Sequence, residues 1–339
     1  MPRRTAEVLH AIVHTYIESG EPVASRTVSR LRRDNLSPAS IRNIMADLVD
    51  QGYLCQPHTS AGRVPTAKAF SSYVASLAIS RVLAAELQRL RDELWAAQTM
   101  DRRVERSSHI LTQMTRNVGI AAAIPTSSQT LDQIELVCLA DRRVLMILAT
   151  RDHMVRNQVV TLDEQVSQDE LNSIRNYLNV NFNGWVLSDV RAELERRFHH
   201  ESATYDAILR RLTLLCEKGL LDLGLAPEVH MEGASNLVGL DLHLTQERMR
   251  ELFRALEEKK RILQLLDRFL EHPAGELSVQ VGLGDVHPSM QELSLIGLSV
   301  QLPGGLYAQV AVLGPMRMNY SRVMSAVLHM GEAFQSVPA

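Results

Sequence analysis

Apolar positions in the first fifty residues recur at helical spacing, in three bursts separated by turn signals. Leu9, Ile12, Val13, Tyr16 and Ile17 follow the i, i+3, i+4, i+7, i+8 rhythm of a helix that buries one stripe, and Ser19-Gly20 supplies its stop. Glu21-Pro22 turns the chain into a short second helix, with Ser25 as its N-cap and Val28 and Leu31 following at helical spacing. Leu36-Ser37-Pro38 opens a third: Ser37 can cap it, and Pro38 takes the first helical position, where no amide is needed. Ile41, Ile44, Met45, Leu48 and Val49 make its apolar stripe, ended by Gln51-Gly52.

The opposite face of the third helix carries Ser40, Arg42, Asn43, Ala46, Asp47 and Asp50. Its N-terminal half is small, hydrogen-bonding or cationic, and the acids lie toward its C-terminal end. A helix that reads DNA needs this asymmetry, because its N-terminal residues meet base edges, where Arg suits guanine and Asn suits adenine. Ser40, Arg42 and Asn43 are therefore the candidate base readers. Tyr53-Leu54-Cys55-Gln56 then reads as a short strand, and Pro57 to Pro65 as a Thr/Ser/Gly-rich turn returning through Val64, which predicts a β-wing. Ser25, Arg26, Thr27 and Ser37, with His58, Thr59, Ser60 and Arg63 of the wing, are expected against the DNA backbone or a minor groove. A three-helix bundle with a hairpin can equally be a protein-interaction domain, so the pattern alone leaves that open.

Beyond residue 65 the pattern changes. Residues 66–117 read as mostly helical, with Leu87, Leu90 and Leu94 among the apolar positions, and Val118 to Pro125 reads as a buried strand. Segments 134–139, 144–149 and 154–160 alternate as three strands joined by charged turns, an antiparallel meander. Helices are predicted over 167–178, 187–198 and 202–215, then a strand near Val229 and one long helix from Thr245 to Leu270. Strands at 277–281, 293–302 and 305–313 and a last helix from Tyr320 to Phe334 complete an α+β chain.

Charge sharpens this reading only slightly. The net charge is −3, yet residues 1–65 carry eight arginines, no lysine and six carboxylates. Arginine's fork suits phosphate and guanine, although so small an excess also describes an ordinary surface. Three scattered cysteines (Cys55, Cys138, Cys216), no leader-like start and no long apolar run lead us to expect a soluble cytoplasmic protein without disulfides.

Catalysis finds no support in the motifs. Gly282-Leu283-Gly284 starts like a dinucleotide loop, but His287 stands where its last glycine belongs. The neighbours His199 and His200 point about a hundred degrees apart on a helix, unsuited to one metal. The chain is not expected to be an enzyme, and no cofactor or metal is expected.

Three blocks carry a family resemblance: Glu21 to Thr27, Leu36 to Leu48, and Gln56 to Pro65. They closely resemble the HrcA family of bacterial heat-inducible transcription repressors, and the similarity continues through Gly233 to Leu237 and Gly314 to Tyr320. Ala24 departs from the glycine common before the Ser-Arg-Thr block; a small residue remains. The resemblance implies a winged helix over 1–75, a GAF-like domain over 76–128 and 226–339, and an inserted dimerisation domain over 129–225. It further implies a homodimer on an inverted-repeat operator before chaperone operons, released on heat shock, and a GroE-type chaperonin that assists folding. A ligand-sensing regulator, with the GAF-like domain as metabolite sensor, is the alternative.

Overall fold

The computed structural model describes residues 1–31, 36–57, 62–77, 84–97, 99–125, 129–151, 154–200, 206–222, 227–238, 244–270, 274–302 and 306–335. The chain opens with α1 (Arg3–Ser19), α2 (Ser25–Leu31) and α3 (Pro38–Asp50). An antiparallel pair follows, β1 (Leu54–Cys55) with β2 (Val64–Pro65), and then α4 (Ala67–Val74). Most of the periodic apolar residues are buried, and Leu9, Ile12, Val13, Val28, Ile41, Met45 and Leu48 share one core, whereas Leu31 at the end of α2 is 63% exposed. Helix α2 starts one residue earlier than expected. Val23 exchanges backbone hydrogen bonds with Arg63, at 2.9 Å each, and Ala24 O accepts from the amides of Thr27 and Val28 at 3.0 and 3.3 Å. Ser25 thus falls inside the first turn and is buried, instead of capping from outside.

Gly20 closes α1 at φ +72, donating its amide to Tyr16 O at 2.9 Å. A Cβ there would lie 1.8 Å from Nη1 of Arg317, which packs on this helix end. Gly20→Ala therefore meets backbone strain as well as a side chain, and is expected to destabilise by about 1–2 kcal/mol. Thermal unfolding of the variant checks this, and an unchanged midpoint would show that neither the left-handed backbone nor Arg317 costs the folded chain anything.

The chain continues through α5 (Ala84–Trp95) and α6 (Met100–Thr115) into β3 (Val118–Pro125). It then leaves to build a separate three-stranded meander, β4 (Leu131–Cys138), β5 (Arg143–Thr150) and β6 (Val155–Thr161), backed by α7 (Gln168–Phe182), α8 (Leu187–His200) and α9 (Asp206–Glu217). This unit has its own core, in which Ile134, Met146 and Leu148 of the strands meet Leu171, Ile174 and Leu178 of α7. Helix α7 begins on a capping box between Ser167 and Glu170.

After α9 the chain returns as β7 (Glu228–Glu232), paired with the strand it left, β3. Helices α10 (Gln246–Glu257) and α11 (Lys259–Leu270) come next, then β8 (Ser278–Val281), β9 (Leu293–Leu302), β10 (Leu306–Pro315) and α12 (Tyr320–Gln335). The second sheet runs β7-β3-β10-β9-β8, all neighbours antiparallel. One face is packed by α6 and α12, the other by α10 and α11, which is why β9 and β10 read as near-continuous apolar runs. Antiparallel sheets with helices between them make this an α+β chain.

The single helix expected over 245–270 is two helices. Glu258 leaves helical geometry at ψ 97, and its carbonyl then accepts from the amides of Arg261 and Ile262, starting α11 afresh. Leu252, Ala255 and Leu256 of α10 and Ile262, Leu265 and Leu266 of α11 all enter the same core, and the break lets both stripes reach it.

A charged cluster joins the two larger sheets. Arg156 of β6 lies 3.2 Å from Asp101 of α6 and 3.1 Å from Glu228 of β7, and the Arg156 and Asp101 side chains are only 11% and 13% exposed. The Asp101 carboxylate is in ion contact with Arg156 without an aligned hydrogen bond.

Candidate nucleic-acid interface

Helix α3 is held at both ends. Ser37 Oγ accepts the Ser40 amide at 3.1 Å, with Pro38 in the first turn. At the other end Gly52, at φ +74, donates to Val49 O and Tyr53 donates to Leu48 O, both at 2.9 Å. That paired arrangement is the Schellman stop, and glycine is needed for its left-handed residue. Between these ends Ile41, Met45 and Leu48 are buried, while Ser40, Arg42, Asn43, Ala46, Asp47 and Asp50 are exposed.

Arg42 and Asn43 thus stand on the open face next to a capped N-terminus, and among the described residues neither side chain has a partner. Five guanidinium donors and a carboxamide with both donor and acceptor are held ready for an incoming edge. Ser40 differs: its hydroxyl lies 3.0 Å from Ser37 Oγ and belongs to the cap network. The exposed acids at the C-terminal end would repel phosphate there, so a duplex is favoured only along the N-terminal half.

On α2, Arg26 and Thr27 are exposed, whereas Ser25 is 8% exposed. Arg30, not singled out in the sequence, shares the open side at the last turn. Arg63 is half-buried, its backbone bridged to Val23, and its Nε is buried without a hydrogen-bond partner among the described residues. Gly62 brings the hairpin against the α1–α2 turn, where a Cβ would meet Val23 backbone at 2.6 Å. His58, Thr59 and Ser60 lie outside the described residues.

Two residues behind the helix were missed. Thr66 places its Oγ1 2.8 Å from Gly52 O and 3.0 Å from Tyr53 O, and Lys68 donates to Gln51 O at 2.9 Å while its ammonium sits 4.4 Å from the Tyr53 ring centroid. The signal for Thr66 was its place just before α4; nothing local marks Lys68, whose partners are 15 and 17 positions away.

The N-terminal unit does not stand apart from the rest. Phe70 of α4 lies between Tyr16 and Tyr320, with ring centroids 6.3 and 6.1 Å away, and the core of helices α1–α4 runs without a break into the larger sheet. His10 of α1 meets Tyr73 edge-on at 5.8 Å and Ser76 at 3.2 Å. Burial holds the His10 imidazole below its usual range and, with Glu18 nearby, pushes the Tyr73 phenol up. The seam between α1, α4 and α12 keeps a cleft of about 580 Å³ lined by His14, Glu18, Tyr73, Asn319 and Arg322.

The meander shows a different kind of surface. Its inward residues pack on α7, but its outward row Val137, Leu145 and Val159, with Ile147 and Val155 beside it, is apolar, Leu145 and Ile147 being half-buried and the three valines exposed. Val137, Val155 and Val159 are 39%, 44% and 49% exposed. Among the described residues no group of acids, histidines and cysteines is placed to hold a metal, and the side chains of His199 and His200 lie outside that description.

Known proteins align with nearly the whole length of the chain. The family described as "HrcA protein C terminal domain" matches residues 101–324. A heat-inducible transcription repressor HrcA of Geobacter sulfurreducens is 37% identical over 328 residues, covering 96% of this chain and 94% of its own. The proteins so named in Sorangium cellulosum and Xanthomonas axonopodis pv. citri are 34% and 35% identical, covering 96% and 98% of the chain and 95% and 96% of their own. The crystal structure of a hypothetical protein shares the fold at TM-score 0.60 and 20% identity, covering 99% of each chain.

Proposed function

The chain belongs to the HrcA family of heat-inducible transcription repressors, and from that premise we propose that it silences its operon as a homodimer whose N-terminal units read an inverted-repeat DNA operator. It is a negative regulator of heat-shock genes, not an enzyme. Residues 1–75 act as the winged helix, 76–128 and 226–339 as the GAF-like domain, and 129–225 as the dimerisation insert. The family assignment extends the proposal to chaperonin and related chaperone operons as targets, to a GroE-type chaperonin as folding partner and to a cytoplasmic location.

One observation carries the reading of DNA: Arg42 and Asn43 are exposed at the capped end of α3 and, among the described residues, have no partner. Entering the major groove, Arg42 would bind a guanine edge and Asn43 an adenine edge, with Ser37, Arg26, Thr27 and the wing on phosphates. Two such helices would reach half-sites a whole number of turns apart, each about 34 Å. Bound there, the dimer excludes polymerase. Heat releases it when the dimer is lost, because one reading unit alone forfeits the avidity of two.

Arg42→Ala and Asn43→Ala are each expected to weaken operator binding by about 1–3 kcal/mol and relax preference at one base pair, leaving random-duplex affinity intact. Titrations on operator and scrambled duplex measure this; equal losses on both would remove Arg42 from base reading. For the function itself, purified protein with chaperonin and ATP is titrated on a chaperone-operon repeat. Preference over scrambled DNA by about a thousandfold supports the proposal, and no preference sinks it.

The ligand-sensing alternative has one support, the cleft of about 580 Å³ between α1, α4 and α12. An operator affinity that changes with an added metabolite, at constant temperature, would favour it.

A further inference from the structure

We propose that Lys68 and Thr66 are positioning residues for DNA reading: through them α4 braces the C-terminal end of α3 and sets the angle at which Arg42 and Asn43 present themselves. The inference rests on α3 being the reading helix.

Its basis is what happens to the last carbonyls of α3. A helix end leaves four of them without partners inside the helix. Tyr53 and Gly52 satisfy those of Leu48 and Val49. Two carbonyls just beyond are met from the start of α4: Lys68 Nζ donates to Gln51 O at 2.9 Å, and Oγ1 of Thr66, the residue that caps α4, is 2.8 Å from Gly52 O. The Thr66 amide adds a 3.0 Å bond to Tyr53 O. Lys68 is also fixed from the side, its ammonium 4.4 Å from the Tyr53 ring centroid. A cation at a helix C-terminus is favoured by the dipole as well, so the lysine is held by three effects at one place.

The same helix is fastened to the rest of the chain. Ala69 and Phe70 are buried, Phe70 is wedged between Tyr16 and Tyr320, and Ala67 lies against Gly282 beside β8. Helix α3 itself makes no comparable contact with the larger sheet; α4 does. The brace therefore carries the position of the sheet to the reading helix. Hydrogen-bonded recognition tolerates little misplacement of the donors, whereas diffuse attraction to phosphate tolerates much.

A lysine beside a DNA-reading helix has an obvious rival role, a direct phosphate contact, and the two separate in the salt dependence. Operator and scrambled duplexes are titrated over a salt series with the full-length protein and its Lys68→Met, Lys68→Arg and Thr66→Val variants. Lys68→Met keeps the apolar stem but loses the donor and the charge; Thr66→Val loses only the hydroxyl. Both are expected to weaken operator binding about three- to tenfold, with scrambled-duplex affinity and the salt slope unchanged, and Lys68→Arg to recover most of the loss. A salt slope reduced by about one in Lys68→Met, with equal losses on both duplexes, overturns the inference in favour of a phosphate contact. Unchanged operator binding in both variants overturns it too. If wild-type protein itself shows no preference, the DNA reading falls, and that result is distinct from either.

Discussion

Leu145→Glu combined with Val159→Glu is expected to turn the proposed dimer into a monomer and to weaken operator binding by about a hundredfold or more. The argument starts from alternation. An antiparallel sheet with one packed face normally shows polar residues on the other. Here Leu145 pairs with Val137 on one side and Val159 on the other, so the outward row is apolar across all three strands. Monomeric proteins rarely leave such a patch to water, and rimmed by Glu135, Arg143 and Asn157 it has the composition of an interface. Paired glutamates there repel their symmetry copies and cannot be desolvated cheaply. The side chains point away from the inner core, so far-ultraviolet dichroism should not change. Sedimentation reports the mass and titration the affinity. A variant that remains dimeric would place the two-fold contact elsewhere.

Arg156→Ala has the second large effect, on stability. Removing the guanidinium leaves two carboxylates, Asp101 and Glu228, facing each other in a largely buried site. Breaking a buried ion cluster by deleting one member costs about 3–5 kcal/mol. The unfolding midpoint should fall by roughly 10 °C at about 2–4 °C per kcal/mol. Asp101 supplies the pH signature. Burial, outweighing the pull of Arg156, pushes its carboxyl up to about 6 from 3.8, with Glu228 adding to the rise. The folded chain then holds this proton more tightly than the unfolded one. Its contribution is full below the unfolded value and is lost as pH climbs through about 6. His230, 3.9 Å from Glu228, faces the same cluster. Asp101→Asn should therefore flatten the decline in stability between ~pH 4 and ~pH 6. A decline that persists in that variant would assign it to another group.

Legibility varied with the range of the interactions involved. The stripe Ile41, Met45, Leu48 and the exposed Arg42 and Asn43 could be read directly, because which side of a helix is buried follows from a 3.6-residue period. The ends were equally local: Ser37, Gly20 and Gly52 act within five residues of themselves. Strands β9 and β10 were found from their apolar runs, but the runs did not say which helices cover each face. The long helix was misjudged because α10 and α11 share a phase across Glu258, and only the shape of the core requires the break.

The chain's own order of residues, then, settled most of the elements, the open face of α3 and the family to which the protein belongs. Tertiary structure decided the rest: that Ser25 is buried, that Ser40 is tied to its cap, and that Arg63 is half-buried at the bridge to Val23. It also decided that Lys68 reaches Gln51, and that Arg156 stands between Asp101 and Glu228. The division is physical. Helix periodicity and capping are written within a turn or two of sequence, whereas burial of a polar side chain depends on which distant surface arrives against it.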